Sequence, residues 1–170
     1  MVATWLRFWN KRISALTVGG LVAGGLVSWG FSPLVAQSAS NFGTISLSPG
    51  SSPASVRGYT QGSMPLSAIA PQDQSGTLCV GFAESEPDHV LVLSEAIATL
   101  SLRVDSNGGD TTLLVQGPNA RTIQCGDDTG SNPDASIRSQ NWQPGEYKVW
   151  VGAFDAGVRY DYTLSVQGTP

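Results

Sequence analysis

"DTTLLVQGPNARTIQC", residues 110–125, decides the fold. Thr111 to Gln116 is an apolar run rich in β-formers. "GPNA" follows with the Gly, Pro and Asn of a turn, and "RTIQC" returns from it. A strand, a turn and a second strand make residues 111–125 a hairpin. The pattern repeats on both sides. "TISLS" alternates through Ile45 and Leu47, and "TLCVGF" places Leu78, Val80 and Phe82 on one face. "HVLVLS" precedes "TLSLRVD", whose Leu100, Leu102 and Val104 point inward while Ser101, Arg103 and Asp105 point outward. "PGEYKVWVGAF" is a turn and a strand, and "RYDYTLSVQ" puts Tyr160, Tyr162, Leu164 and Val166 on one face. No helical periodicity competes. About eight short strands at roughly ten-residue spacing imply an all-β chain, a single antiparallel β-sandwich of jelly-roll-like form. Residues 49–77 are less regular, with "SVRGYTQG" as an edge strand.

The start of the chain reads as a targeting segment. Arg7, Lys11 and Arg12 precede the apolar run from Ile13 to Phe31, and "SPLVAQSAS" follows. Ala36 fits the small-residue position before a cleavage site. The expected organisation is a signal peptide over 1–36, an N-terminal extension with edge strands over 37–75 that belongs to the domain, and the sandwich proper over 76–168. The mature chain is expected to start at Gln37, with Ser38 or Ala39 as neighbouring choices. An uncleaved anchor is the rival reading, since the run is long enough to span a bilayer. Membrane contact would come through that segment alone.

The whole chain has 9 Lys+Arg and 13 Asp+Glu, a net charge of −4. Without Arg7, Lys11 and Arg12 the balance is six against 13, or −7. Nucleic acid and anionic membrane surfaces are thereby disfavoured, because both need clustered basic residues. Cations and neutral polymers remain. Cys79 and Cys125 form an even pair in an exported chain, which is most simply a disulfide. The loop it closes corresponds to about 3–4 kcal/mol in the chain-entropy model.

"CGDDTGSNPDA", residues 125–135, packs Asp127, Asp128, Asn132 and Asp134 between two glycines and a proline. Calcium takes six to eight oxygens from such groups. Asp110 begins the other strand of the same hairpin and belongs to the candidate set. The spacing is not that of an EF-hand. The competing reading is a polar turn whose aspartates bond their own backbone. Calcium is thus the one cofactor candidate.

Catalysis has less support. His89 is the single histidine, and no serine sits in a G-x-S-x-G pattern. Zinc lacks a second histidine or a free cysteine pair. Asp127 and Asp128 are adjacent, and neighbours on a strand point to opposite faces, which does not suit a glycosidase pair. Trp142 and Trp150 are candidate partner-binding rings. Trp150 lies opposite Tyr147, Val149 and Val151 on its strand, facing either solvent or a second half of the core.

Several segments together resemble the bacterial pre-peptidase C-terminal domain. They are Cys79, Gly81 and Phe82; Pro87, Asp88 and His89; Asp110 to Leu113; Gly117 and Pro118; Cys125, Asp127 and Asp128; Asn132 and Pro133; Pro144, Gly145 and Tyr147; and Val149 to Gly152. The likeness spans roughly residues 76–168, weakens back toward Phe42, and is nearest to a cyanobacterial branch of short exported proteins. It implies a sandwich fold and a non-catalytic accessory role. In the terminal modules of bacterial collagenases the family binds calcium and substrate polymer. This sequence differs in having no protease domain before the motifs, so it is expected to act alone or with a separate partner.

The expectation is an exported, non-catalytic binding or structural module with no catalytic residues, acting on a protein or polysaccharide in the periplasm or outside the cell. The alternatives are a secreted enzyme or protease-associated factor, and a small subunit of an envelope or thylakoid-lumen assembly.

Overall fold

The computed structural model describes residues 39–169. The segment read as a signal peptide, 1–36, lies outside the described residues. The described part is all-β, apart from one turn of 3-10 helix at Leu66–Ala68. Its strands are β1 (Thr44–Leu47), β2 (Ala54–Tyr59), β3 (Met64–Pro65), β4 (Phe82–Ala83), β5 (His89–Leu93), β6 (Ile97–Asp105), β7 (Thr111–Gln116), β8 (Ile123–Gly126), β9 (Ser136–Trp142), β10 (Gly145–Ala153) and β11 (Asp161–Thr169).

They form two sheets. The four-stranded sheet runs β2-β11-β6-β9. Its β6 and β11 alternate as their sequences require, with Leu100, Leu102, Val104, Tyr162, Leu164 and Val166 buried. In the seven-stranded sheet β10 is the spine. One edge takes β5 through Gly145–Val149 and the short β4 at Ala153. The other takes β7 through Lys148–Ala153, and β8 follows β7. All pairings are antiparallel except β1 with β5, which is parallel in register Thr44↔Val90 to Leu47↔Leu93. The 111–125 hairpin forms, with Leu113 opposite Gly126 and Gln116 opposite Ile123.

The space between the sheets is filled by Leu91, Leu93, Leu113, Val115, Tyr147, Val149, Val151 and the inward residues of β6 and β11. A second, smaller core lies on the opposite face of β10. There Trp150 packs with Leu66, Ala70, Cys79, Ala83, Leu114, Ile123 and Cys125. The Cys79–Cys125 disulfide is formed, with Cα atoms 5.3 Å apart, and fastens the irregular segment before β4 over this second core.

Two strand readings need correction. "TLCVGF" is a strand only at Phe82–Ala83. The disulfide draws Cys79 inward, to 3% exposure, and leaves Leu78 63% exposed, the reverse of the alternation expected. β9 is a strand that the pattern did not disclose. Ile137 and Trp142 are its buried apolar residues, and the residues between them are polar.

Candidate functional site

The hairpin register builds the site. Leu113 pairs with Gly126 at the end of β8, which brings Asp127 and Asp128 to the end of the hairpin where Asp110 precedes β7. Gly126 is required here, because a Cβ would strike the Ser136 carbonyl and the Ile137 side chain. Beyond it the chain doubles back. The Thr129 and Asn132 backbones exchange hydrogen bonds of 2.8 and 3.1 Å. The Ser136 N–H donates to the Asp127 carbonyl at 3.1 Å, and the Thr129 hydroxyl bonds the Asp134 carbonyl at 2.8 Å. The loop is therefore shaped by its own polar groups, with the disulfide at its entrance.

One carboxylate oxygen each from Asp110, Asp127 and Asp128 lies within 4.8 Å of the others. Asp110 and Asp127 are half-buried and Asp128 is exposed. Burial raises both half-buried carboxyls above the usual range, and the Asp128 charge raises them further. Asp127 Oδ1 is buried without a hydrogen-bond partner. A buried carboxylate oxygen ordinarily finds a donor or a cation. Three converging carboxylates can give three to six oxygens of the hard set that calcium takes, the remainder coming from carbonyls or water. The residues present fit that ion.

The other two candidate ligands are spent elsewhere. Asn132 Oδ1 accepts the Asp134 N–H at 3.2 Å. Asp134 is 4% exposed, and its Oδ1 takes both the N–H of Ser106, at 2.9 Å, and the Ser106 hydroxyl, pinning the loop to the end of β6. Asn132 thus makes a turn with its own loop backbone, while Asp134 bonds across to the residue after β6. Conversely, Asp155 joins the field around the site, its charge adding to the rise at Asp110. No local pattern marks it. It arrives because β10 pairs with β7 and the Phe154 N–H donates to the Asp110 carbonyl at 3.0 Å.

His89 is fully buried. Its Nε2 meets the Tyr162 hydroxyl at 3.0 Å, and burial lowers its pKa to about 4. Beside it Asp88, 3% exposed, accepts from the Val151 N–H at 2.8 Å and from Asn41 Nδ2 at 3.3 Å. Burial raises Asp88 to about 6 and lifts the Tyr162 hydroxyl above its usual range. The cluster joins the two sheets, and His89 Nδ1 is buried there without a hydrogen-bond partner.

The partner-binding reading of the two tryptophans is also corrected. Both are 4% exposed. Trp150 fills the second core, and Trp142 stacks on Tyr147, ring centroids 5.0 Å apart, with its Nε1–H bonded to the Ser139 carbonyl. β10 buries both faces, so the position opposite its valines is interior.

No family model matches the chain, and no curated protein matches it. Among solved structures it is similar to the pre-peptidase C-terminal domain of collagenase from Bacillus anthracis, at 16% identity and TM-score 0.48, covering 78% of this chain and 100% of that one. It is also similar to Aeromonas hydrophila PliG, a periplasmic inhibitor of g-type lysozyme, at 14% identity and TM-score 0.43, covering 74% of this chain and 99% of that one.

Proposed function

We propose that this protein is an exported, non-catalytic β-sandwich module that binds a protein or polysaccharide partner, with calcium held by Asp110, Asp127 and Asp128. The observation that carries the calcium reading is the set of three carboxylates within 4.8 Å, one of whose buried oxygens has no partner. Like charges so placed repel unless a cation offsets them. The disulfide supports export, because such bonds persist in oxidising compartments. The full burial of His89 supports the absence of catalysis, since the single histidine cannot reach a substrate.

Calcium would orient the loop that follows Cys125, and the charge change would act on whatever surface adjoins it. A site of ~10⁻⁴–10⁻³ M affinity suffices outside the cell, where calcium is often millimolar. Calorimetric titration of the chelator-treated protein with calcium tests this. One saturating event, abolished by Asp127→Ala or Asp128→Ala, is expected; no heat above dilution would refute it.

A further inference from the structure

We infer that the cleft between Leu78 and Phe154 is a docking site for a protein segment that presents a large apolar side chain flanked by lysine or arginine. The inference names a partner for the binding module proposed above; its apolar contacts do not depend on metal, and its charge preference is strongest with calcium absent.

Among the described residues the exposed large hydrophobic side chains are Leu78, at 63%, and Phe154, at 48%. Both line the same cleft, of about 420 Å³, with Pro65, Pro71, Val80 and Phe82. Single exposed apolar residues are ordinary, but a convergent pair over an apolar floor marks an interaction surface. The floor is held from several sides. Cys79 is in the disulfide, its N–H donates to the Pro71 carbonyl at 3.2 Å, the Leu66 N–H donates to the Gly81 carbonyl at 3.0 Å, and Phe82 pairs with Ala153. A surface already ordered loses little entropy when a ligand arrives.

Charge selects the occupant. Asp155 lines the cleft, and no lysine or arginine does. The hydrogen bond from Phe154 to Asp110 joins the cleft to the carboxylates of Asp110, Asp127 and Asp128. Among the described residues Arg57, Arg103 and Arg138 lie exposed on β2, β6 and β9 of the other sheet, Arg159 pairs with Asp161 at 3.3 Å, and Arg121, between β7 and β8, and Lys148, on β10, do not line the cleft. A cationic segment is therefore steered to this cleft, and an acidic one is repelled. A second copy of this chain fits poorly. Among the described residues, the large apolar side chains it could offer are Leu78 and Phe154 themselves, which would set Asp155 against Asp155.

The test uses the ¹⁵N-labelled protein in chelator, so the outcome is independent of calcium occupancy. The probe is a synthetic peptide, acetyl-Gly-Lys-Lys-Trp-Lys-Lys-Gly-amide, and the control replaces every lysine with glutamate. The expected result is saturable amide shifts centred on Leu78, Val80, Phe82 and Phe154 with the lysine peptide and none with the glutamate peptide. Phe154→Ser or Leu78→Ser should weaken binding about tenfold, and Asp155→Asn about threefold. Both apolar positions are exposed, so an unchanged melting temperature certifies that the variants fold. Shifts absent from the cleft, equal binding of the two peptides, or self-association through Leu78 and Phe154 in sedimentation would each overturn the proposal. If the cleft fails this test while calcium still binds, the metal reading survives alone.

Discussion

Two groups of ionisable side chains share this sandwich and are treated oppositely by it. At Asp88–His89–Tyr162 the acid has its donors, Val151 N–H and Asn41 Nδ2, and the imidazole has the Tyr162 hydroxyl. At Asp110–Asp127–Asp128 the carboxylates face one another, and a buried oxygen of Asp127 has nothing. The first cluster spends its polar atoms on joining strands, save His89 Nδ1, which is buried without a partner. The second leaves negative charge uncompensated at a place solvent can reach. Burial and a perturbed pKa are common to both, so neither identifies a site. What separates them is the kind of orphan: a neutral ring nitrogen sealed in the core in the first, a carboxylate oxygen beside two other carboxylates in the second.

The largest expected effect comes from the staple at the entrance of the acidic loop. Replacing both cysteines, Cys79→Ser with Cys125→Ser, should lower stability by about 4 kcal/mol in chemical denaturation. Hydrogen exchange should then show more loosening at the Thr129 amide than at the Val151 amide, which Asp88 holds. Equal loosening would break the distinction between the clusters.

The next effect is a pH dependence of two signs. His89 has its pKa lowered to about 4 from 6.5, so its contribution is complete above pH 6.5 and is lost as pH falls toward 4. Asp88 is raised to about 6 from 3.8, so the native state holds a proton that the unfolded chain releases. Its contribution is complete below pH 3.8 and is lost as pH rises to 6. Each spans about 2 pH units, or roughly 3 kcal/mol, and the two oppose each other. Urea melts of His89→Gln should show stability growing on acidification from pH 6 to 4, and those of Asp88→Asn should show it falling from pH 6.5 to 4. Matching pH slopes in the two variants would contradict this account.

A smaller effect should distinguish the acids. In chelator, Asp127→Asn should be neutral or slightly stabilising, within about 1 kcal/mol, because it relieves repulsion. Asp88→Asn leaves one acceptor oxygen where the Val151 N–H and Asn41 Nδ2 both donate, so one of those bonds is lost and stability falls. A clear loss for Asp127→Asn in chelator would mean that its charge is already compensated.

Much of this was legible in the sequence. The alternation of Leu100, Leu102 and Val104, and of Tyr162, Leu164 and Val166, is a period-2 signal with one buried face, and both strands form. Asp127 and Asp128 stood out by local density beside Cys125, and Asp110 followed from the hairpin register. The failures have physical causes. β9 is an edge strand with a largely polar exposed face, so it carries few apolar residues to count. The alternation in "TLCVGF" is overridden by the bond that draws Cys79 inward. Trp150 could face solvent or core until the segment over the second core was in place. The bonds of Asn132 and Asp134 to the protein were not legible, because the residue types that bind calcium are also those that hold a loop in shape. Asp155 is near Asp110 through the β10–β7 pairing, which no local pattern encodes.

The most direct test is a thermal melt of the protein in calcium and in chelator, alongside Asp128→Asn. Calcium at ten times its dissociation constant adds about 1.4 kcal/mol through linkage, which is a rise of roughly 5 °C for a domain of this size. The account predicts that rise for the natural chain, its loss in chelator, and its absence in Asp128→Asn. A melting temperature indifferent to calcium and chelator would contradict it, leaving three aspartates that solvent alone keeps apart.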